Sequence, residues 1–258
     1  MLRPAYSEMP LEPPASWQAL PYGDWLKEQV EAGLDDWWPR IFGYHLLKLG
    51  ALADSLPTGL CPVSHQFGLD PNRGAVRAEL AHLPLQTASI DAALVPFCLE
   101  FHQDPHAMLR ELDRVLISGG HLVLVGFSLL SPLALGYLWP SHHQQLPWSG
   151  RLFTPGRVQD WLSLLGYRVL TQECIAHHTM LWSPQKFPTA QRWLADLCPG
   201  LGSVYLIIAR KLEAPLTPAK QRWHLRRPLV ARPVREAVGC RNKPPVAACN
   251  PKRHHSSS

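Results

Sequence analysis

Apolar residues recur along the chain in continuous runs and at regular spacings, and these patterns place the elements. From Pro21 to Arg40, Trp25, Leu26, Val30, Leu34, Trp37 and Trp38 alternate with Asp24, Lys27, Glu28 and Glu31, which predicts an amphipathic helix with a broad aromatic face. Ile90 to Phe97 is an apolar run interrupted only by Asp91, the pattern of a parallel strand buried on both faces. Asp104-Pro105 then opens a helix, with the carboxylate capping free amides and proline standing where a missing N–H costs little. Met108, Leu109, Leu112, Val115 and Leu116 keep helical spacing, so one stripe of that helix is buried. Ser118-Gly119-Gly120 is expected to end it, because glycine accepts the left-handed backbone found just past helix ends. His121 to Phe127 returns as a second buried strand, and a right-handed crossover between parallel strands follows.

With these elements in place, the segment resembles the core of the class I S-adenosylmethionine-dependent methyltransferases of the small-molecule type. The resemblance rests on Glu79, Leu83-Pro84-Leu85, Asp91, Leu99-Glu100-Phe101 and Arg114-Val115-Leu116-Ile117-Ser118-Gly119-Gly120. It extends more loosely over Phe42 to Lys211, with a late helix from Thr154 to Leu165 and strands from Tyr167 to Cys174 and from Val204 to Lys211. The resemblance implies an α/β, Rossmann-like sheet of seven strands in the order 3-2-1-4-5-7-6, the last inserted antiparallel, with flanking helices. It implies S-adenosylmethionine as cofactor, and transfer of its methyl group to an unidentified acceptor, a small molecule in many relatives. Residues 1–40 are then an N-terminal helical extension, 41–212 the methyltransferase-like domain, and 213–258 a tail.

The family's first loop reads acid-x-Gly-x-Gly-x-Gly, whereas this chain has Leu47-Lys48-Leu49-Gly50-Ala51-Leu52-Ala53-Asp54. Gly50 alone is retained; Leu52 adds bulk, and Lys48 is expected to place a cation near a cationic cofactor. A second reading follows from that loop: a non-catalytic methyltransferase-like module that has lost the cofactor and engages a partner. About 25 residues separate Gly50 from the strand expected near Ala75, too few for two helices and a strand, so a crossover helix is expected to be lost. Ser64 to Leu69 supplies the second strand. Asp70 at its carboxyl end is either the acceptor of both ribose hydroxyls or part of an Asp-Pro-Asn-Arg-Gly turn. Glu79 and Leu80 match the family's adenine contact, with a solvated edge glutamate as the plain alternative. Pro96 and Phe97 end the fourth strand at the sheet's switch point, where they border a transfer cleft or simply close the strand.

Among histidines, His102, His142 and His143 are candidates for acceptor contact, the last two in an insertion from Ser128 to Arg151 that also carries Tyr137, Trp139 and Trp148. No residue is singled out as catalytic. His102 and His106 stand four apart, but Asp104-Pro105 breaks the helix between them and no third ligand is near, so no metal is expected. A nicotinamide-dependent oxidoreductase would need a Gly-x-Gly-x-x-Gly turn after a strand, and none is present.

Charge changes the picture at one end only. Residues 215–258 hold ten Lys or Arg against Glu236, a net +9, so the formal +5 of the whole chain leaves −4 for the rest. That Pro-rich stretch has little apolar periodicity and is expected to be disordered; its arginines, with Trp223, offer nucleic acid a phosphate-binding and stacking surface. The six cysteines show no paired spacing, no basic-then-apolar leader opens the chain, and no apolar run reaches spanning length. A reduced, cytoplasmic protein is the expectation.

Overall fold

The computed structural model describes residues 11–72, 74–138, 144–177, 180 and 199–212. Its strands are β1 (His45–Leu49), β2 (His65–Leu69), β3 (Ile90–Pro96), β4 (Leu116–Phe127), β5 (Tyr167–Ile175) and β6 (Val204–Lys211). They lie in the order β2-β1-β3-β4-β6-β5. The first four are parallel, and β6 runs antiparallel to both β4 and β5.

The two faces of this sheet follow from the two-residue period of a strand. Leu46, Ala92, Leu94, Val123, Val125, Leu206 and Ile208 pack on one side with α1 (Gly23–Asp35), through Leu26, Val30 and Leu34. Leu47, Leu49, Ala93, Val95, Leu122, Leu124 and Ile207 pack on the other with α2 (Pro105–Val115) and α3 (Pro155–Leu164). The continuous apolar runs are thus what a doubly covered sheet demands. Met108, Leu109, Leu112 and Val115 of α2 are fully buried, each worth roughly 1.5–3 kcal/mol of transfer free energy. α2 starts as its sequence requires: Asp104 accepts the Ala107 N–H at 3.0 Å, and Pro105 follows. α3 repeats the device with Thr154 and Pro155.

Three differences from expectation have physical causes. The seven-stranded sheet is a sheet of six described strands, the expected order without its first edge strand. In that place Val76 makes only an isolated bridge to Leu69. Asp70 accepts the Asn72 N–H at 2.8 Å and Gly74 takes φ +103°, so the chain reverses at once, and exposed Arg77 and Glu79 give an edge strand no apolar face to bury. Second, the expected loss of one crossover helix holds and goes further, since neither segment flanking β2 forms one. From Gly50 to Cys61 the backbone makes successive single turns, closed by Ala53 to Gly50, Leu56 to Ala53 and Cys61 to Thr58, because Pro57, Gly59 and Pro62 forbid propagation. Third, α2 ends at Val115, earlier than Ser118-Gly119-Gly120, which lies inside β4 at a register shift opposite Ile90 and Ala92. Gly119 has φ +81° there.

Asp91 has a purpose its position in the apolar run did not reveal. Its Oδ2 accepts the N–H groups of Tyr44 and His45 at 3.0 and 2.9 Å, pinning the start of β1 beside β3. Among the described residues no helix is long and apolar enough to cross a membrane.

Candidate functional site

Because β1, β2 and β3 are parallel, their carboxyl ends meet along one edge, where open α/β sheets hold ligands. A cleft of about 320 Å³ opens there, within the usual range of roughly 300–1,000 Å³ for small-molecule sites. Gly50, Asp70, Glu79, Leu80, Pro96, Phe97 and His102 all line it. His142 and His143 lie outside the described residues, as does the basic tail.

Gly50 turns the chain away from β1 with φ +85°, and its N–H donates to the Leu69 carbonyl at 2.8 Å. A Cβ at this position would lie 2.6 Å from Cys98 Sγ, so the cradle exists only while residue 50 is glycine. The Cys98 thiol points to the Leu49 carbonyl, 3.3 Å away, and full burial pushes its pKa far up, which keeps it protonated and unreactive. Asp70 is 6% exposed at the end of β2. Leu80 is buried, whereas Glu79 is exposed and sits 3.2 Å from His82.

Phe97 has φ +52°, a left-handed conformation that costs a non-glycine residue on the order of 1–3 kcal/mol. Its surroundings impose it. The Phe97 N–H donates to the Val125 carbonyl at 2.7 Å, and its ring stacks on Phe127 at 4.2 Å and meets Trp17 edge-on at 5.8 Å.

The loop that follows is held from both ends. Glu100 is fully buried; its Oε1 accepts the Phe127 N–H at 2.8 Å and faces the Tyr205 hydroxyl at 3.4 Å, while its Oε2 has no partner among the described residues. Burial raises its pKa to about 8, so the carboxyl is mostly protonated at neutral pH. Gly126 makes room for this group, since a Cβ there would collide with both Glu100 and Tyr205. Arg151 donates to the carbonyl oxygens of His102 and Gln103, fixing the loop beside the cleft. Burial lowers the His102 pKa, against the opposing pull of the Asp104 carbonyl and carboxylate.

Lys48 corrects an expectation. It is absent from the residues lining the cleft, because alternation along β1 turns it to the face where Asp54 and Cys61 stand, while the cleft begins beyond the strand's end. Burial lowers its pKa, with Asp54 opposing. Leu52 does line the cleft, as its bulk suggested. The N-terminal residues Leu11, Pro13 and Pro14 line it too, and the Trp17 indole N–H donates to the Leu52 carbonyl at 3.1 Å. Sequence reasoning placed a helix nearby but missed this strap, since nothing in Pro-rich spacing says which surface it crosses. In the insertion, Trp148 donates to the Leu133 carbonyl and Tyr137 to that of Gly150, so these aromatics serve packing.

A mixed sheet with an antiparallel final pair and a cleft at the carboxyl ends of its central strands defines the Rossmann-like methyltransferase class of α/β proteins. A family model described as a methyltransferase domain matches residues 62–124. The chain is 36% identical over 242 residues to the uncharacterized protein YafS of Escherichia coli, covering 92% of this chain and 96% of that protein. It is 30% identical over 124 residues to an uncharacterized protein of Mycobacterium tuberculosis, covering 43% and 44% of the two. Among solved structures, a methyltransferase candidate from Bacillus halodurans superposes with a TM-score of 0.50 at 16% identity, covering 71% of this chain and 99% of that one. The chain belongs to the family of YafS, which it matches along nearly its whole length, and residues 62–124 carry its match to a methyltransferase domain.

The residues present fit S-adenosylmethionine, the cofactor that the methyltransferase-domain match implies. A positive-φ glycine at position 50 that leaves the strand end bare, a buried carboxylate at the end of β2 and apolar walls at Leu80 and Phe97 offer the acceptor and the apolar surfaces that suit a nucleoside.

Proposed function

We propose that the protein is an S-adenosylmethionine-dependent methyltransferase acting on a small-molecule acceptor, with residues 41–212 as the catalytic domain, 1–40 as its N-terminal helical extension, and the cytoplasm as its place of work. The observation that carries this reading is the convergence on one cleft of Gly50, Asp70 and Phe97 from three strand ends and of Leu80 from the loop after β2. In it, Asp70 would accept the ribose hydroxyls, Leu80 and the Glu79 backbone would border the adenine, and Gly50 would let the chain approach the methionine portion. Pro96 and Phe97 would face the reacting centre, with His102 toward the acceptor.

The cofactor, when bound, supplies an already activated methyl group. The chain's own residues therefore orient and exclude water. Phe97, locked between Phe127 and Trp17, gives a rigid apolar surface at the reacting end, and alignment of that kind supplies much of the rate in transfer reactions. Leu11, Pro13 and Pro14 add apolar surface to the lining of the cleft.

Asp70→Ala tests the reading. Losing a hydrogen-bonding carboxylate is worth about 1.5–3 kcal/mol, so the variant should bind S-adenosylhomocysteine about 10- to 100-fold more weakly with its circular dichroism unchanged. Equal affinity of the two proteins would remove the ribose role.

A further inference from the structure

We propose that His45 and His65 form a two-histidine site for a divalent cation of the copper or nickel type, which staples β2 to β1 at the end of the sheet away from the cleft. The two residues stand 20 apart in the chain, and only the parallel register of β1 and β2 sets them directly opposite each other. Their Nδ1 atoms are 3.0 Å apart, and the rings cross at 89° with centroids 5.0 Å apart. Both residues are exposed, so an ion reaches them from solvent. Their backbones are fixed: the His45 N–H donates to Asp91 Oδ2 at 2.9 Å, and the His65 N–H donates to the Tyr44 carbonyl at 3.2 Å. The His65 ring also rests near that of Phe67, centroids 5.4 Å apart. A ligand pair held in this way has little freedom left to lose on binding. The Asp91 carboxylate adds a negative charge at the backbone of the pair, which favours a cation there.

Two Nδ1 lone pairs cannot face each other across 3.0 Å, so without an ion one of the two nitrogens must carry a proton. An ion between the rings accepts both lone pairs and leaves each ring its proton on Nε2. At a metal–nitrogen distance of about 2.0–2.1 Å, the 3.0 Å separation closes an angle of about 95°, whereas a tetrahedral pair needs roughly 3.3 Å. A near-right angle belongs to tetragonal or square-planar coordination, which Cu(II) and Ni(II) prefer. Among the described residues no group of three His, Cys, Asp or Glu could hold a metal, so two imidazoles and solvent make up the coordination shell. The place of the pair in the fold gives the ion a purpose. β2 is the outer strand, it has no crossover helix on either side, and beyond it Val76 makes only an isolated bridge. At their other ends β1 and β2 lead into Gly50 and Asp70, and an ion across the first register pair adds a second bond to a strand otherwise held by β1. The site is independent of the methyl-transfer reading, since five residues of strand, about 13 Å, separate His45 from the cleft end of β1.

The experiment titrates the full chain with Ni(II) chloride, by calorimetry and by thermal unfolding, with His254→Gln and His255→Gln present so that the adjacent imidazoles of the tail take up no ion. Ni(II) should bind saturably, and free Ni(II) at about 100 times Kd should raise Tm by about 5–10 °C. Adding His45→Gln or His65→Gln should weaken binding at least about 10-fold and remove most of that rise, because one imidazole alone cannot chelate. Unchanged affinity in either variant, or a Tm that Ni(II) does not move, would overturn the proposal. Zn(II), which prefers the wider tetrahedral angle, should bind more weakly than Ni(II); the reverse order would overturn the right-angled geometry. A second measurement needs no change at the site. In the chain with His45 and His65 intact and its histidines labelled with ¹⁵N and assigned, Ni(II) added below equivalence should broaden the His45 and His65 signals first. Broadening that begins at other histidines would contradict the assignment.

Discussion

The stretch from Ile90 to Phe127 and the stretch from Gly50 to Leu85 face each other across one cleft, yet they are built by different means. In the first, strand, capped helix and strand bury both faces of a sheet, and hydrogen bonds follow from the regular elements. In the second, single turns replace the helix, and stability comes from side chains pinned one at a time: Leu52, Ala53, Leu56, Cys61 and Val63 reach the same core. Arg114, at the end of α2, ties the two together by donating to the carbonyls of Leu83 and Leu85 and to Glu111. The cleft thus keeps its strand ends while both crossovers flanking β2 lose their helices, provided each turn has its own anchor.

The largest effect should come from cutting an anchor in each stretch. Leu112→Ala, in a helix that cannot collapse, should cost about 3–5 kcal/mol, and Leu56→Ala, in turns that can relax, about 2 kcal/mol, both read from denaturant midpoints. Equal costs would mean that the turns are as rigid as the helix.

Glu100 sharpens the contrast through pH. Its folded pKa of about 8 lies above its ordinary value of 4.5, so the folded chain holds a proton that the unfolded chain has released. Stability contributed by this group is therefore fully present below about pH 4.5, is lost as pH rises toward 8, and levels off above it, with a slope of at most about 1.4 kcal/mol per pH unit. Glu100→Gln should flatten that decline between pH 5 and 8, as seen by thermal unfolding across the range; parallel curves for the two proteins would contradict the buried neutral acid.

On the shortened side, Gly50→Ala should destabilise by about 2 kcal/mol, part strain at positive φ and part collision, and a second change, Cys98→Ala, should recover roughly half. Full additivity of the two changes would separate Gly50 from Cys98. The smallest effect is expected at Lys48→Met, which should change S-adenosylhomocysteine affinity by less than about threefold, since the side chain lies off the cleft. A large gain in affinity would return Lys48 to the site.

Where apolar periodicity and a capping pair coincided, the sequence was legible: α2 begins at its Asp-Pro pair. The resemblance, rather than local pattern, located α3 and β6, which span Pro155–Leu164 and Val204–Lys211. The lost edge strand was not legible, because Val76 and Ala78 alternate with polar residues as a strand would, and only the Asp70 turn, a tertiary arrangement of side chain and backbone, shows that pairing stops. The lining of the cleft was legible as far as strand ends carry it, through Gly50, Asp70, Pro96 and Phe97. The strap of Leu11, Pro13 and Pro14, the fit of Cys98 against Gly50 and the turning of Lys48 to the other face depend on contacts between residues far apart in the chain, or on where a strand ends, which no local pattern encodes.

The central claim is that the shortened stretch still completes a nucleoside site, and a crystal structure of the full chain grown with S-adenosylhomocysteine tests it most directly. The account predicts the adenine against Leu80, the ribose hydroxyls within hydrogen-bonding distance of Asp70 and the sulfur toward Phe97. An empty cleft at saturating ligand, or a ligand bound elsewhere, would contradict it.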